Sequence, residues 1–223
     1  MSDGRAVILE DALAVIAAAR ASASHGHERG TGGVSARAYL RVVDTLCEFT
    51  GALRGVAAMA TADVAGNARK LTAHLAPGYA MVWELCVREL DAPGAERLRA
   101  PNCTDGIACT SVLWLQRALR FVVQGIRGVV NGDPSLSAVI ASAYNATLGR
   151  HHGLLTRSAF HLATLATPSR DKFLRCMVIA PGVVVGEMQL TRELARVAKE
   201  AGALLGAVDK FLIREGVEEP WVA

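Results

Sequence analysis

The sequence predicts an all-α protein. Hydrophobic residues make up 52% of its 223 residues and aromatic ones only 5%, so the interior must be mainly aliphatic. Apolar residues recur at spacings of three and four, which is typical of helices buried along one face. Glycine and proline separate these segments. We therefore expect a single domain, residues 1–223, of about eight helices. Two layers of such helices can pack closely or leave an apolar slot, and composition does not choose between the two.

In chain order, the spacing predicts helices over residues 6–22, 35–59, 61–75, 80–91, 106–131, 136–148, 150–166, 170–179 and 187–214. The glycine-rich segment 24–33 is predicted to be a loop. The two helices on either side of Gly149 could also be one bent helix. The β-branched run 178–186 could pass for a strand, but helices flank it and no partner strand is evident. We interpret this run as a buried connection or the start of a helix.

Composition and charge exclude several classes of protein. The longest run without Asp, Glu, Lys or Arg, residues 134–149, has sixteen residues, whereas a membrane-spanning helix needs about 20. Glu10 and Asp11 interrupt the apolar stretch at the N-terminus, which argues against a secretory signal. A net charge of +3 is too small to indicate nucleic-acid binding. We therefore expect a soluble, cytoplasmic protein with no nucleic-acid partner.

The cysteines and histidines give no sign of a metal or disulfide framework. The five cysteines contain no CxxC pair and are predicted to be free thiols, although Cys103 and Cys109 could pair. His151 and His152 are adjacent, and neighbouring residues on a helix point about 100° apart. They are therefore poorly placed to share an ion. No metal and no cofactor are expected.

Three polar side chains share one face of a predicted helix in the segment TADVAGNARKL, residues 61–71. Asp63 and Asn67 are four residues apart, and Asn67 and Lys70 are three apart. A carboxylate, an amide and an ammonium together offer acceptors and donors that suit a ligand with several hydroxyls. Taken alone, the same row is also typical of a solvated helix face.

Two later segments add further candidate side chains. Trp114 and Arg117 lie three apart in SVLWLQRALRF, and an indole is a flat apolar plate suited to stacking on a sugar ring. Tyr144 and His152 lie near the predicted bend at Gly149, and a neutral imidazole can donate one hydrogen bond and accept another. A tryptophan in the core and a structural histidine are the alternatives.

Taken together and in this order, the three segments resemble the glycolipid transfer protein family. The resemblance depends on the D-x3-N-x2-K row that begins at Asp63, on LWLQRALRF around Trp114, and on AY-x3-L-x3-H-G from Ala143 to Gly153. It covers most of the chain. It implies a two-layer, all-α sandwich of about eight helices that encloses a lipid-binding slot.

The resemblance also implies roles for individual residues. Asp63, Asn67 and Lys70 would bind the sugar hydroxyls, and Trp114 would stack on the first sugar. His152 would donate to the ceramide amide carbonyl, and Phe160 would face the slot for the lipid chains. Arg117 and Tyr144 are possible accessory residues.

Within the family, one branch binds ceramide-1-phosphate and carries an arginine at the tryptophan position. Trp114 and Asn67 therefore favour the sugar-binding branch. The nearby Arg69, Arg117 and Arg120 keep the phosphate branch open. Family members commonly carry tryptophan after the His-Gly pair, at a membrane-docking surface, where this chain has Leu154.

The resulting hypothesis is a non-enzymatic lipid carrier, a monomer that binds a glycosphingolipid and associates transiently with a membrane surface. A lipid sensor without net transfer and a ceramide-1-phosphate transfer protein are the alternatives. An enzyme is disfavoured because the sequence has no phosphate-binding glycine loop, nucleophile elbow or HExxH motif.

Overall fold

A computed structural model describes residues 7–22, 33–53, 55–75, 81–99, 107–133 and 135–219, with the backbone only for 55–60. Within these residues the chain forms nine α-helices: α1 Leu9–Ser22, α2 Ala36–Gly51, α3 Gly55–Ala73, α4 Val82–Leu90, α5 Ala108–Val130, α6 Leu136–Ala146, α7 Leu154–Thr164, α8 Arg170–Leu174 and α9 Glu187–Arg214. Short 3-10 turns lie at Ala95–Arg99 and Gly149–His151. The predicted all-α class is confirmed.

The helices depart from the predicted boundaries at several places, and the predicted helix 170–179 ends at Leu174 because Met177 and Val178 form a strand. Helix α2 ends at Gly51 and α3 begins at Gly55. The first of these two helices therefore ends earlier than the predicted residue 59. For the region around Gly149 the sequence left two alternatives. The 3-10 turn at Gly149–His151 separates α6 from α7, and the choice is two helices rather than one bent helix.

The prediction that the run 178–186 has no partner strand was wrong for Val178, the first residue of that run. Strand β1 (Val7–Ile8) pairs in parallel with strand β2 (Met177–Val178). The predicted helix over 6–22 accordingly begins at Leu9, because Val7 and Ile8 are used in this pairing. The partner lies about 170 residues away along the chain, and local patterning contains no information about so distant a contact. The pair ties the start of α1 to the segment before α9.

Helix α5 is the centre of the structure. It is buried along most of its length and packs against α9, α3, α6, α4 and α2. Its first turn is held by Glu89 of α4, whose carboxylate accepts from the backbone N–H groups of Ile107, Ala108 and Cys109 at 2.8–3.0 Å. A carboxylate at this position satisfies N–H groups that have no partner within the helix and complements the helix dipole. The axial position of α5 is therefore fixed at its first turn.

A buried polar network joins α5 to α9. The Gln116 amide donates to Asp209 Oδ1 and to the Leu205 carbonyl, both at 2.6 Å, and its oxygen accepts from the Tyr39 hydroxyl at 3.1 Å. Asp209 also forms an ion pair with Arg120. Burial is the main reason that the pKa of Arg120 is lowered, and the like charge of Arg127 adds to it. Asp209 therefore supplies the counter-charge for a cation that has lost much of its hydration.

Three further predictions concern the cysteines, the loop 24–33 and membrane-spanning helices. Cys47, Cys86, Cys109 and Cys176 are free thiols, whereas Cys103 and its suggested pairing lie outside the described residues. Most of the predicted loop 24–33 also lies outside them. No helix within the described ranges is both long and apolar enough to cross a membrane.

Candidate functional site

A cavity of about 300 Å³ opens between α2, α3, α5 and α7. This volume is at the lower end of the range for small-molecule sites. Its walls are mainly apolar, while Asp63 and His152 supply polar groups from two different elements. The lining residues are Cys47, Thr50, Asp63, Val64, Ala118, Phe121, Val122, Leu148, His152, Thr156 and Phe160. An apolar chamber with a few convergent polar groups is the form expected of a site for an amphiphilic ligand.

Helix α3 carries all three residues of the predicted polar row. Asp63 is exposed where the cavity meets solvent, and Asn67 is buried one turn later. The Asn67 amide donates to the Asp63 carbonyl at 3.0 Å and to Asp63 Oδ1 at 3.3 Å, which orients the carboxylate. Lys70 is exposed about one turn beyond Asn67 and does not line the cavity.

His152 is held in place by Tyr144, which is fully buried in α6. The Tyr144 hydroxyl and His152 Nδ1 lie 2.8 Å apart. If the hydroxyl donates to Nδ1, the imidazole proton is on Nε2, where it can be donated to a ligand. Burial lowers the pKa of His152, against the opposing effect of Asp63. The neutral imidazole is therefore favoured near pH 7.

Trp114 lies beside this imidazole and is half-buried. Its ring is nearly parallel to that of His152, with centroids 5.6 Å apart and planes 15° apart. The guanidinium carbon of Arg117 lies 5.0 Å from the Trp114 ring centroid, within cation–π range. The structure thus brings the predicted Trp114, His152 and Arg117 together.

Arg117 is buried rather than solvated, with 3% of its surface exposed. Its guanidinium forms an ion pair with Glu218, which follows α9. The pKa of His151 is lowered to about 4, mainly by burial and also by the charge of Arg117, while Glu218 opposes this shift. Both charges therefore act on His151, and that of Arg117 also acts on His152.

Phe160 lines the cavity and is buried. Its ring stacks on Tyr144 with centroids 3.7 Å apart and meets Phe121 edge to face at 5.7 Å. Phe121 and Phe160 thus line the cavity, and Tyr144, on which Phe160 stacks, is hydrogen-bonded to His152. The polar and apolar parts of the site thus share one supporting residue, Tyr144.

Several cavity residues had no signal in the sequence. Cys47 and Thr50 come from α2, and Leu148 and Thr156 flank His152. They contribute ordinary packing residues that only tertiary structure brings together. Glu218 was also missed, because a glutamate near the end of a chain gives no local indication of a distant buried partner.

The comparison of this chain with models of known protein families decides which family it belongs to. A model described as Glycolipid transfer protein (GLTP) matches residues 34–178. The chain belongs to this family. Members of the GLTP family are lipid transfer proteins rather than enzymes. The matched region includes the cavity and all of its lining residues.

Glycolipid transfer protein 1 of Arabidopsis thaliana is 32% identical over 119 residues, which are 53% of this chain and 53% of that protein. The chain thus spans about half the length of that curated relative, and only 19% to 22% of some longer ones.

Two solved structures of the GLTP fold are each 21% identical in sequence to this chain. Mouse ceramide-1-phosphate transfer protein has a TM-score of 0.75, with 96% of this chain and 100% of that chain covered. FAPP2, described as selecting simple glycosphingolipids, has a TM-score of 0.74, with 100% of this chain and 98% of that chain covered. Similarity at this level shows the fold and does not choose between the two lipid classes.

Proposed function

We propose that this protein is a cytoplasmic, monomeric carrier that transfers a glycosphingolipid between membranes, with the whole chain acting as one lipid-binding domain. The observation that supports this most directly is the apolar cavity with Asp63 and His152 on its lining. A lipid with a polar head and a hydrocarbon body has the same division into a polar and an apolar part.

The head group is bound by side chains from three elements. Asp63 accepts from the amide N–H of the ceramide and from sugar hydroxyls, and Asn67 and Lys70 extend the polar row along α3. His152 donates from Nε2 to the amide carbonyl, with its orientation fixed by Tyr144. Trp114 offers an apolar plate for the sugar ring. Each ligand group left unpaired in such a site costs about 1–3 kcal/mol, which makes this region the source of selectivity.

The charges around α5 favour a sugar over a phosphate. Arg120 is paired with Asp209, and Arg117 is paired with Glu218. A phosphate requires several charge-assisted donors, and each of these two guanidinium groups already has a carboxylate as its counter-ion. A neutral sugar has no such requirement.

The hydrocarbon chains enter the apolar part of the cavity, past Phe160 and Phe121. Burial of each CH₂ group contributes about 0.8 kcal/mol, so the chains supply most of the affinity. They are common to many sphingolipids and do not discriminate among head groups.

Transfer of a fluorescent monohexosylceramide between vesicles tests the proposal. Wild-type protein is expected to accelerate transfer, and Trp114→Ala is expected to slow it by roughly tenfold, because a packed aromatic ring contributes about 0.5–1.5 kcal/mol beyond the apolar area that it buries. Trp114→Phe keeps a flat apolar ring and is expected to retain most of the activity.

The same assay with labelled ceramide-1-phosphate separates the two lipid classes. Faster transfer of the phosphate lipid than of the glycolipid would contradict the sugar assignment while preserving lipid transfer. Tight binding with no transfer of either lipid would instead support a lipid sensor. Equal activity of wild type and Trp114→Ala would remove Trp114 from the site.

We further propose that α7 docks on the membrane through its first turn. Leu154 and Leu155 are 76% and 89% exposed, directly after the His152-Gly153 pair. Two exposed leucines beside the cavity offer apolar surface to a bilayer without the polar tip that a tryptophan would add. The lipid would thus leave the bilayer close to the head-group site.

Replacing both leucines by serine is expected to weaken vesicle binding by tenfold or more, since burying one leucine contributes about 1.5–3 kcal/mol. Cosedimentation with neutral vesicles measures the effect. Val184→Ser is the control, because this side chain is 97% exposed but lies in the segment before α9. Equal loss in the control, or no loss in the double variant, would reject docking through α7.

A further inference from the structure

The carboxylate of Glu218 holds the Arg117 guanidinium by two hydrogen bonds, 2.7 Å from Nε to Oε2 and 3.2 Å from Nη2 to Oε1. Both side chains are almost fully withdrawn from solvent, at 4% and 2% exposure. The residues are 101 positions apart, so the segment after α9 returns to α5 to make this pair. A bidentate pair of this kind fixes both groups and cancels their charges.

The pair lies next to the proposed head-group site. Arg117 is in cation–π contact with Trp114, which stacks on His152. Its charge lowers the pKa of both His151 and His152. Arg117 Nη1 is buried and has no hydrogen-bond partner among the described residues. The guanidinium therefore keeps one donor free beside the site, while Glu218 engages the rest of its fork.

We propose that Glu218 is a specificity-determining residue that makes the site select neutral over anionic head groups. This inference rests on the proposed function. A free guanidinium binds phosphate in the same forked geometry that Glu218 now uses. Glu218 both occupies this fork and repels a second anion, and the repulsion is strong because the pair is desolvated. A neutral sugar experiences neither effect, so only the phosphate lipid is penalised.

The test compares affinities for a monohexosylceramide and for ceramide-1-phosphate, each presented in otherwise identical phosphatidylcholine vesicles. Glu218→Gln keeps the shape of the side chain and removes its charge. It is expected to raise the affinity ratio of phosphate lipid to glycolipid by at least about tenfold, since like charges at close range oppose binding strongly. Glu219→Gln makes the same change in net charge on the next, exposed residue and is expected to leave the ratio unchanged.

A second pair of variants covers the event that Glu218→Gln does not fold with an uncompensated guanidinium. Arg117→Lys/Glu218→Gln retains a cation on a flexible stem that can reach water, and Arg117→Gln/Glu218→Gln has no charge at either position. The lysine variant is expected to bind the phosphate lipid better, relative to the glycolipid, than the glutamine variant does. Circular dichroism verifies that each protein is folded.

The outcomes separate this inference from the proposed function. If wild type binds the glycolipid and the ratio stays within about twofold in every variant, a difference well under 1 kcal/mol, Glu218 has no role in selection. An equal rise of the ratio in Glu219→Gln would assign the effect to net charge instead and would also reject the inference. If wild type binds neither lipid, the proposed function fails, and this inference fails with it.

Discussion

Replacing Asp63 by alanine is expected to weaken glycolipid binding by roughly 10- to 150-fold, because hydrogen bonds to a charged group contribute about 1.5–3 kcal/mol. The protein itself should be almost unaffected. Asp63 is exposed, and the side-chain contact it loses is the 3.3 Å hydrogen bond from Asn67. The free energy of unfolding is therefore expected to change by less than about 0.5 kcal/mol. Binding to lipid vesicles and urea unfolding measure the two quantities.

Asp11→Ala is the matched control for this prediction. Asp11 is also an exposed aspartate on a helix, but it lies in α1 and does not line the cavity. Its removal changes the net charge by the same amount. Equal loss of binding in both variants would indicate a general effect of charge on vesicle approach, and undiminished binding in Asp63→Ala would exclude Asp63 from the site.

Replacing Asp209 by alanine is expected to cost about 3–5 kcal/mol of folding free energy, the usual effect of removing one partner of a buried ion pair. The change leaves the Arg120 guanidinium without its counter-charge and removes an acceptor from the Gln116 amide. Urea unfolding monitored by circular dichroism gives the free energy. This residue is expected to act on stability because it does not line the cavity.

Glu200→Ala provides the comparison on the same helix. Glu200 pairs with Arg20 at the surface, where both side chains are at least one-third exposed. Solvent screens such a pair, so its loss is expected to cost only about 0–1 kcal/mol. A cost below about 1 kcal/mol for Asp209→Ala would mean that the α5–α9 network contributes little net stability.

The sequence was most informative where function depends on spacing within one element. The three-and-four spacing of Asp63, Asn67 and Lys70 correctly assigned all three to one helix, because side-chain direction on a helix follows directly from residue number. The bounds of α9 were also predicted correctly, since a long amphipathic pattern ended by glycine carries a strong local signal. The roles of the site residues toward a ligand are still predictions.

Contacts between distant segments were not predictable in the same way. Val7–Ile8 finds its partner strand at Met177–Val178, and Arg117 finds its counter-ion at Glu218. Neither pairing has a period or a motif, since each depends on how the completed helices meet. Arg117 illustrates the consequence: its sequence neighbourhood suggested a cation available to a phosphate, and the fold supplies a carboxylate instead.

Glu89 has a consequence for how a lipid could enter. By binding three N–H groups of the first turn of α5, it fixes the helix that carries Trp114 and Arg117 against sliding along its axis. Helix α7 is held less firmly, because it packs mainly against α3 and α6 and meets α5 through the contact of Phe160 with Phe121. We therefore expect α5 to be the stationary wall of the lipid slot and α7 the wall that moves, so that loading leaves Trp114 and Arg117 in place.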